Sequence, residues 1–168
     1  MEPRVNLKKL AANARKVYEA MLGVEGALRA SGLEPSLLDL VRMRASQING
    51  CAYCLDMHSK DLRAGGESEQ RIYCLDAWRE TPFYSERERA ALDWTEAVTL
   101  IREGHVPDEV YEQVRRHFSE TELVILTATV GAINFWNRLA ISLRSVPGEY
   151  KPPAHQPQTR ASEPALAD

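Results

Sequence analysis

The sequence predicts an all-α protein with about seven helices. Three observations favour this fold class. Apolar residues recur at a spacing near 3.6, no segment shows convincing period-two alternation, and helix start and stop signals bound the apolar segments. The predicted helices run from about residue 13 to 30, 35 to 49, 51 to 65, 68 to 79, 85 to 104, 107 to 116 and 119 to 143.

The first three predicted helices have clear boundaries. The first carries Tyr18 and Leu28 on one apolar stripe and is followed by glycine. The second opens at Pro35, which is favourable in a first helical turn, and ends at an Asn-Gly pair. The third begins close to Cys51 and ends at a Gly-Gly pair, where glycine tolerates the left-handed conformation found just past helix ends. The second and third helices are therefore expected to form a hairpin.

The later helices are bounded in the same way. The fourth opens near Ser68, and the short sixth begins at Pro107. The fifth and the seventh each open with a capping box, at residues 85–88 and 119–122. The seventh is apolar on nearly every side, which predicts that it is buried at the centre of the domain.

Residues 146–168 are rich in proline and short polar residues and lack periodic apolar positions. This composition predicts a disordered tail, which leaves 1–145 as the helical domain.

Composition excludes several classes of function. The formal net charge is −3, from 21 basic and 24 acidic residues, and no Lys/Arg run is long enough to bind a phosphate backbone, so no nucleic-acid partner is expected. The N-terminus lacks the apolar stretch of a secretory signal, and no apolar run of membrane length stands out. The sequence therefore predicts a cytoplasmic protein without a membrane partner.

The unusual residues lie in one short segment. Cys51, Cys54 and His58 are spaced i, i+3 and i+7, so on a helix their side chains lie along one face. A reducing cytoplasm disfavours structural disulfides, so a close cysteine pair is expected to be catalytic or metal-binding. The third cysteine, Cys74, lies on an apolar helix and is interpreted as a small buried hydrophobe.

A redox role suits this arrangement. A helix N-terminus lowers the pKa of a thiol, and a nearby imidazole can take its proton, as activated cysteines require. Of the two thiols, Cys54 is nearer His58 in helical spacing.

Other kinds of site fit this motif less well. Leu55 stands where a c-type haem motif requires histidine, and the preceding helix argues against a thioredoxin-like βαβ context. A zinc site made by Cys51, Cys54 and His58 would need a fourth ligand from a second knuckle, and no second CxxC or HxxxH occurs. Zinc binding and inert packing remain alternatives.

Asp39 is the candidate partner of His58. A rise of about 1.5 Å per residue places both residues roughly 12 to 15 Å from the tip of the predicted hairpin, so their side chains could face one another. The carboxylate would then fix the imidazole tautomer. The alternative is a surface acid in the first turn of a helix, where acids are favoured.

These residues resemble the core motif of the alkyl hydroperoxidase D (AhpD-like) and carboxymuconolactone decarboxylase superfamily. In that motif an acid is followed twelve positions later by C-x-x-C-x-x-x-H, a pattern that falls here on Asp39, Cys51, Cys54 and His58. The string SQINGCAYCLDMHSKDLRAGG is characteristic, and the resemblance extends over most of the chain outside the tail. Two positions depart from it: the acid is usually Glu, and in the best-known peroxidases His stands in place of Tyr53.

The resemblance implies an all-α fold, assembly into trimers or hexamers, and a peroxidase cycle without a bound cofactor or metal. In that cycle Cys54 would attack a peroxide, Cys51 would resolve the product as a disulfide, and His58 and Asp39 would relay protons. An external dithiol, in the best-known branch a lipoyl group on a carrier protein, would reduce the disulfide. A disulfide oxidoreductase or a thiol-based sensor without peroxide turnover is the alternative function.

Overall fold

Helices make up the regular secondary structure of the residues that the computed structural model describes, which are 2–5, 12 and 14–153. The all-α prediction is therefore confirmed. In chain order the α-helices are α1 (Arg15–Arg29), α2 (Pro35–Asn49), α3 (Ala52–Ala64), α4 (Glu69–Cys74), α5 (Glu86–Thr99), α6 (Asp108–Val114) and α7 (Glu120–Leu143). A 3-10 helix, Leu75–Glu80, follows α4 directly.

The second helix is the structural centre of the domain, because it packs against α3, α5 and α7. On one side it shares an apolar cluster with α5, α6 and α7, to which Leu38, Trp94 and Leu126 belong. On the other it shares a second cluster with α3, α4, the 3-10 helix and α5, to which Leu40, Leu62 and Leu75 belong. These two clusters hold the α2–α3 hairpin in place.

The fourth predicted helix is divided in the structure. The α-helix ends at Cys74, and Ala77 inside the following 3-10 helix departs from helical geometry. A 3-10 helix has three residues per turn, so Leu75 and Trp78 lie on one face, and both are buried in the second cluster. Burial of this pair anchors the 3-10 helix in the core. Cys74 is half-buried, not fully buried as the sequence analysis expected.

The fifth predicted helix is shorter than expected. Instead of reaching residue 104 it ends at Thr99, and residues 100–105 continue as exposed turns. These residues lack the packing against other elements that stabilises most helices in proteins.

The turn between α2 and α3 positions the cysteines. Gly50 ends α2 in the left-handed conformation, with φ of 66°. Its N–H donates to the Gln47 carbonyl, and the N–H of Cys51 donates to that of Ser46. Together these bonds reverse the chain within two residues and bring Cys51 to the N-cap of α3.

The last helix, α7, opens with the predicted capping box between Ser119 and Glu122 and packs against α1, α2, α3 and α5. Its buried Asn137 donates to Ser46 and accepts from Asn49, which ties α7 to the helical hairpin. Among the described helices only α7 is long and apolar enough to cross a membrane, so the expectation that no apolar run of this length occurs is wrong. Its packing against four helices is that of a core helix.

Residues 146–153 form no helix, but the first part of the predicted disordered tail is ordered, because Gly148 and Tyr150 are hydrogen-bonded to side chains of α3. The rest of the predicted tail, 154–168, lies outside the described residues, as does the predicted start of the first helix at Asn13.

Candidate active site

Cys51 and Cys54 lie at the start of α3. They are paired as a disulfide with Cα atoms 5.3 Å apart, within the usual range for such a bond. Cys51 is the N-cap residue, and its sulfur accepts the N–H of Cys54 at 3.4 Å. After reduction, the unpaired N–H groups of this helix start would stabilise a thiolate.

His58 lies two turns into α3 and is buried, with 4% of its surface exposed. Neither ring nitrogen has a hydrogen-bond partner among the described residues. Burial, followed by the positive charges of Arg42 and Arg29, lowers the pKa of His58 to about 3. The imidazole is therefore neutral at physiological pH, and it can take the proton of a thiol only where a nearby negative charge offsets burial and the two arginines.

A cavity of about 470 Å³ brings Cys54 and His58 together. It is enclosed by residues of α1, α2, α3 and α7 and of the segment after α7, and its walls are mainly apolar. The lining residues are Tyr18, Leu22, Glu25, Arg29, Arg42, Tyr53, Cys54, Met57, His58, Asp61, Ile133, Trp136, Leu139, Ala140, Ser145 and Tyr150.

The two cysteines differ in their relation to this cavity. Each is 1% exposed, but Cys54 is among the lining residues whereas Cys51 is not. A small molecule in the cavity would therefore contact Cys54 and not Cys51.

Polar atoms without partners also line the cavity. The hydroxyl of Ser145, like the nitrogens of His58, is buried without a hydrogen-bond partner among the described residues. Buried polar groups are nearly always hydrogen-bonded, so unpaired ones in a cavity are suited to contact water or a polar ligand.

A charged cluster closes one side of the cavity. Arg42, 2% exposed, donates to Glu25 at 3.0 Å and to Asp39 at 3.3 Å, and Trp136 donates to Glu25 at 3.0 Å. Two carboxylates compensate the buried guanidinium, which would otherwise be costly to bury. The cluster thereby joins α1, α2 and α7.

Asp39 is in this cluster, half-buried, and makes no hydrogen bond to either nitrogen of His58. Burial raises the pKa of Asp39, while the charges of Arg42 and Arg29 oppose this effect. Its structural link to the cavity runs through Arg42.

Tyr53 packs against the two cysteines and Ala140 and lines the cavity. Burial raises the pKa of Tyr53, so the phenol keeps its proton at neutral pH.

The sequence analysis missed Asp61, Arg42, Glu25 and Tyr150. Asp61 follows His58 by three positions, a spacing that could have identified it as a neighbour on the helix. Glu25 and Tyr150 lie far from the motif in the sequence, so no local pattern pointed to them. In the part of the chain that the structure describes, no group of three or more His, Cys, Asp or Glu side chains could hold a metal ion.

Comparison with known proteins places these features in a family. The sequence profile of the carboxymuconolactone decarboxylase family matches residues 15–97. The uncharacterized protein YdfG of Bacillus subtilis is 43% identical over 143 residues, which cover 85% of this chain and 95% of YdfG.

Two solved structures share the fold. A protein of unknown function from Agrobacterium tumefaciens, described as a candidate antioxidant defence protein AhpD, has a TM-score of 0.83 and 44% identity, covering 89% of this chain and all of that one. The debrominase Bmp8 has a TM-score of 0.75 and 22% identity, covering 82% and 74% of the two chains, a likeness that shows the fold alone. Together with the fold and the CxxC pair, these matches establish that the chain belongs to the AhpD-like proteins of the carboxymuconolactone decarboxylase family.

Proposed function

We propose that this protein is a thiol-dependent peroxidase that reduces organic or hydrogen peroxides through a Cys51/Cys54 dithiol–disulfide cycle. The observation that carries the proposal is that the cavity reaches Cys54 and His58 but not Cys51. The attacking thiol and its base are thus open to a small substrate, while the resolving thiol is held beside the attacking one and away from the substrate.

In the first step, neutral His58 accepts the proton of the Cys54 thiol. The Cys54 thiolate attacks the outer oxygen of the peroxide, an S–O bond forms and the O–O bond breaks. The leaving alkoxide, or hydroxide in the case of hydrogen peroxide, takes the proton from His58. Cys54 becomes a sulfenic acid, and the peroxide becomes an alcohol or water.

In the second step, the Cys51 thiol loses its proton and its sulfur attacks the sulfur of the sulfenic acid. The S–O bond breaks, the departing hydroxide takes up that proton and leaves as water, and the Cys51–Cys54 disulfide forms. The Cα separation of 5.3 Å allows this bond without movement of the backbone. An external dithiol then reduces the disulfide and is itself oxidised.

The burial of the two sulfurs bears on the reductant. Each cysteine is 1% exposed, so a dithiol on the surface of another folded protein cannot contact the two sulfur atoms directly. A small or slender dithiol, such as a lipoyl arm on a carrier protein, can enter through the cavity. The same burial disfavours general exchange with protein disulfides.

We place this activity in the cytoplasm as an antioxidant function, carried out by a homo-oligomer. In the proposed cycle Asp39 supports the site through its ion pair with Arg42. No cofactor beyond the external dithiol takes part.

The test is consumption of cumene hydroperoxide and hydrogen peroxide by the purified protein with excess dihydrolipoamide. We expect Cys54→Ser to lower the rate at least about 100-fold, because the nucleophile is lost. In a separate assay without dithiol, Cys51→Ser should consume about one equivalent of peroxide and leave Cys54 as a sulfenic acid that dimedone traps. Cys74→Ser is the control and should keep the wild-type rate.

Wild-type consumption by Cys54→Ser would overturn the proposal. Formation of the Cys51–Cys54 disulfide in wild type without repeated peroxide turnover would instead identify a redox sensor.

A further inference from the structure

The segment after α7 lies across α3 beside the cavity. Residues 145–150, here called the C-terminal strap, are held by hydrogen bonds to two side chains of that helix. Lys60 donates to the carbonyls of Gly148 at 3.3 Å and Tyr150 at 3.2 Å. Asp56 accepts the N–H of Gly148 at 3.0 Å and pairs with Lys60 at 2.9 Å. These bonds fix the position of Tyr150.

The hydroxyl of Tyr150 donates to Asp61 at 2.6 Å. Burial, reinforced by the hydrogen bond to Asp61 and by its charge, raises the pKa of Tyr150. The hydroxyl therefore keeps its proton, and Asp61 is the acceptor. This bond occupies one carboxylate oxygen, Oδ1, and leaves Oδ2 available to another donor.

The free oxygen of Asp61 faces His58. Its Oδ2 lies 3.7 Å from Nδ1 of the imidazole, and this is the one carboxylate within 4.0 Å of the ring in the described part of the chain. Both side chains are largely buried, at 4% exposed for His58 and 11% for Asp61. A small rotation of the ring would close this gap to hydrogen-bond distance, and Nδ1 has no competing partner among the described residues.

We propose that Asp61 and Tyr150 are positioning residues of the active site. In the reduced protein Nδ1–H of His58 donates to Asp61, Tyr150 holds that carboxylate in place, and Nε2 keeps the lone pair that accepts the proton of Cys54. The inference rests on the proposed function, and it assigns to Asp61 the task of fixing the tautomer that the sequence motif suggested for Asp39. The C-terminal strap thereby becomes part of the site.

Other charged groups also face His58. Apart from Asp61 and Tyr150, they are the same in all the variants. Glu25 and Arg29 face the cavity from α1, Arg42 from α2 with Asp39 behind it, Asp61 from α3 and Tyr150 from the strap, while α7 contributes Trp136 and apolar residues. Arg29 and Arg42 disfavour the imidazolium. A hydrogen-bonded Asp61 opposes them, which makes proton transfer from Cys54 to His58 easier.

The experiment compares reduced wild type with Asp61→Asn, Tyr150→Phe and Glu103→Gln. Glu103→Gln is the control, because it also removes one carboxylate but from an exposed residue that does not line the cavity. The first readout is the rate of Cys54 alkylation by iodoacetamide against pH, measured in a Cys51→Ser, Cys74→Ser background.

We expect Asp61→Asn to raise the apparent pKa of Cys54 by about one unit, because a negative charge beside the imidazolium is lost. The peroxide rate should fall about 10- to 100-fold, as is typical when the partner that orients a functional histidine is removed. Tyr150→Phe should lower the rate about 3- to 10-fold in the same direction, the effect of one lost hydrogen bond. Glu103→Gln should leave the alkylation profile unchanged.

The second readout is the tautomer itself. In protein labelled with ¹⁵N-histidine, the His58 signal, assigned with a His58→Asn variant among the 4 histidines, should report protonation at Nδ1 in wild type and its loss in Asp61→Asn.

Unchanged alkylation profiles and an unchanged tautomer in Asp61→Asn and Tyr150→Phe would overturn the inference, even if both variants were less stable. Neither readout uses peroxide, so a failure of the proposed peroxidase activity is distinguishable from a failure of this inference.

Discussion

His58 combines deep burial with two ring nitrogens that have no hydrogen-bond partner in the described part of the chain, and this has a consequence for the stability of the protein in acid. In the unfolded chain the imidazole takes a proton at its ordinary pKa of 6.5, whereas in the folded protein burial and two arginines lower the pKa to about 3. Between these values the unfolded state binds more protons. Acid therefore favours unfolding through this residue.

We predict that the free energy of unfolding falls as pH drops below 6.5, with a contribution from His58 of up to about 1.4 kcal/mol per pH unit. Urea unfolding of wild type and His58→Gln between pH 4 and 8 measures it. The variant should show the shallower slope, and the exposed His105→Gln should match wild type. Asp39, whose pKa is raised, acts in the opposite direction but is present in all three proteins, so it cancels. Equal slopes in wild type and His58→Gln would contradict the prediction.

At this scale the sequence predicted the residues that share one helix face. Cys51, Cys54 and His58 follow helical spacing, and the structure places Cys54 and His58 on one cavity. Two side chains of the candidate site could not be predicted in this way. Asp39 satisfies the motif in sequence, but its carboxylate pairs with Arg42, and the strength of that ion pair depends on burial that no spacing reveals. Tyr150 contacts Asp61 because the C-terminal strap lies across α3, a position that the sequence spacing does not indicate.

Among the elements, the α2–α3 turn determines where the dithiol begins. Gly50 has φ of 66°, and a Cβ built on it would meet nothing within 4 Å. The need for glycine is therefore a matter of backbone conformation and not of space. The same lack of neighbours holds for Gly23 inside α1, where the backbone is helical.

We expect Gly50→Ala to lower the free energy of unfolding by about 1 kcal/mol, because a side chain disfavours the left-handed conformation. Gly23→Ala should raise it by about 0.5 to 1 kcal/mol, because alanine is the better helix former. Chemical denaturation of both variants checks the pair. A loss of stability in both would indicate contacts that the monomer does not contain, and a gain in both would refute the role of the turn.

Predictions of single elements were most accurate where hydrogen bonds between residues close in sequence determine the structure. The capping boxes at Ser85 and Ser119 and the turn at Gly50 were predicted and are present. The predictions were wrong where packing between helices distant in sequence determines the structure. The buried residues Leu75 and Trp78 are three positions apart, a spacing that does not distinguish the 3-10 helix after Cys74 from a continuous α-helix.

At the scale of the whole molecule, the buried charge of Arg42 connects three helices. Glu25 of α1 pairs with Arg42 of α2 and accepts from Trp136 of α7. The position of α1 over the cavity therefore depends on one carboxylate as well as on apolar contacts.

We predict that Glu25→Gln destabilises the protein by about 2 kcal/mol, because it weakens a charged hydrogen bond to a buried guanidinium while its amide oxygen can still accept from Trp136. Glu19→Gln is the control on the same helix. Its partner Arg15 is exposed, so its loss should cost no more than about 0.5 kcal/mol. Thermal and urea unfolding compare the two. Equal effects would show that the Arg42 cluster has no special role.

The all-α class and the hairpin were predicted from local patterns, because the spacing of apolar residues and the residue types at helix ends indicate helices directly. The enclosure of the cavity by α1, α7 and the strap was not predicted. It depends on contacts such as Glu25 with Arg42 and Tyr150 with Asp61, which join residues far apart in the chain. Such pairings follow from the assembled core.

The order of the elements has a consequence for biosynthesis. The ribosome completes Cys51, Cys54 and His58 long before α7 and the strap, the segments whose Ala140, Trp136 and Tyr150 line the cavity around them. Since domains are synthesised from the N-terminus, the nascent hairpin presents both thiols without those walls. During that interval any oxidant or thiol can reach the pair. Only in the complete chain do α7 and the C-terminal strap restrict which molecules reach Cys54.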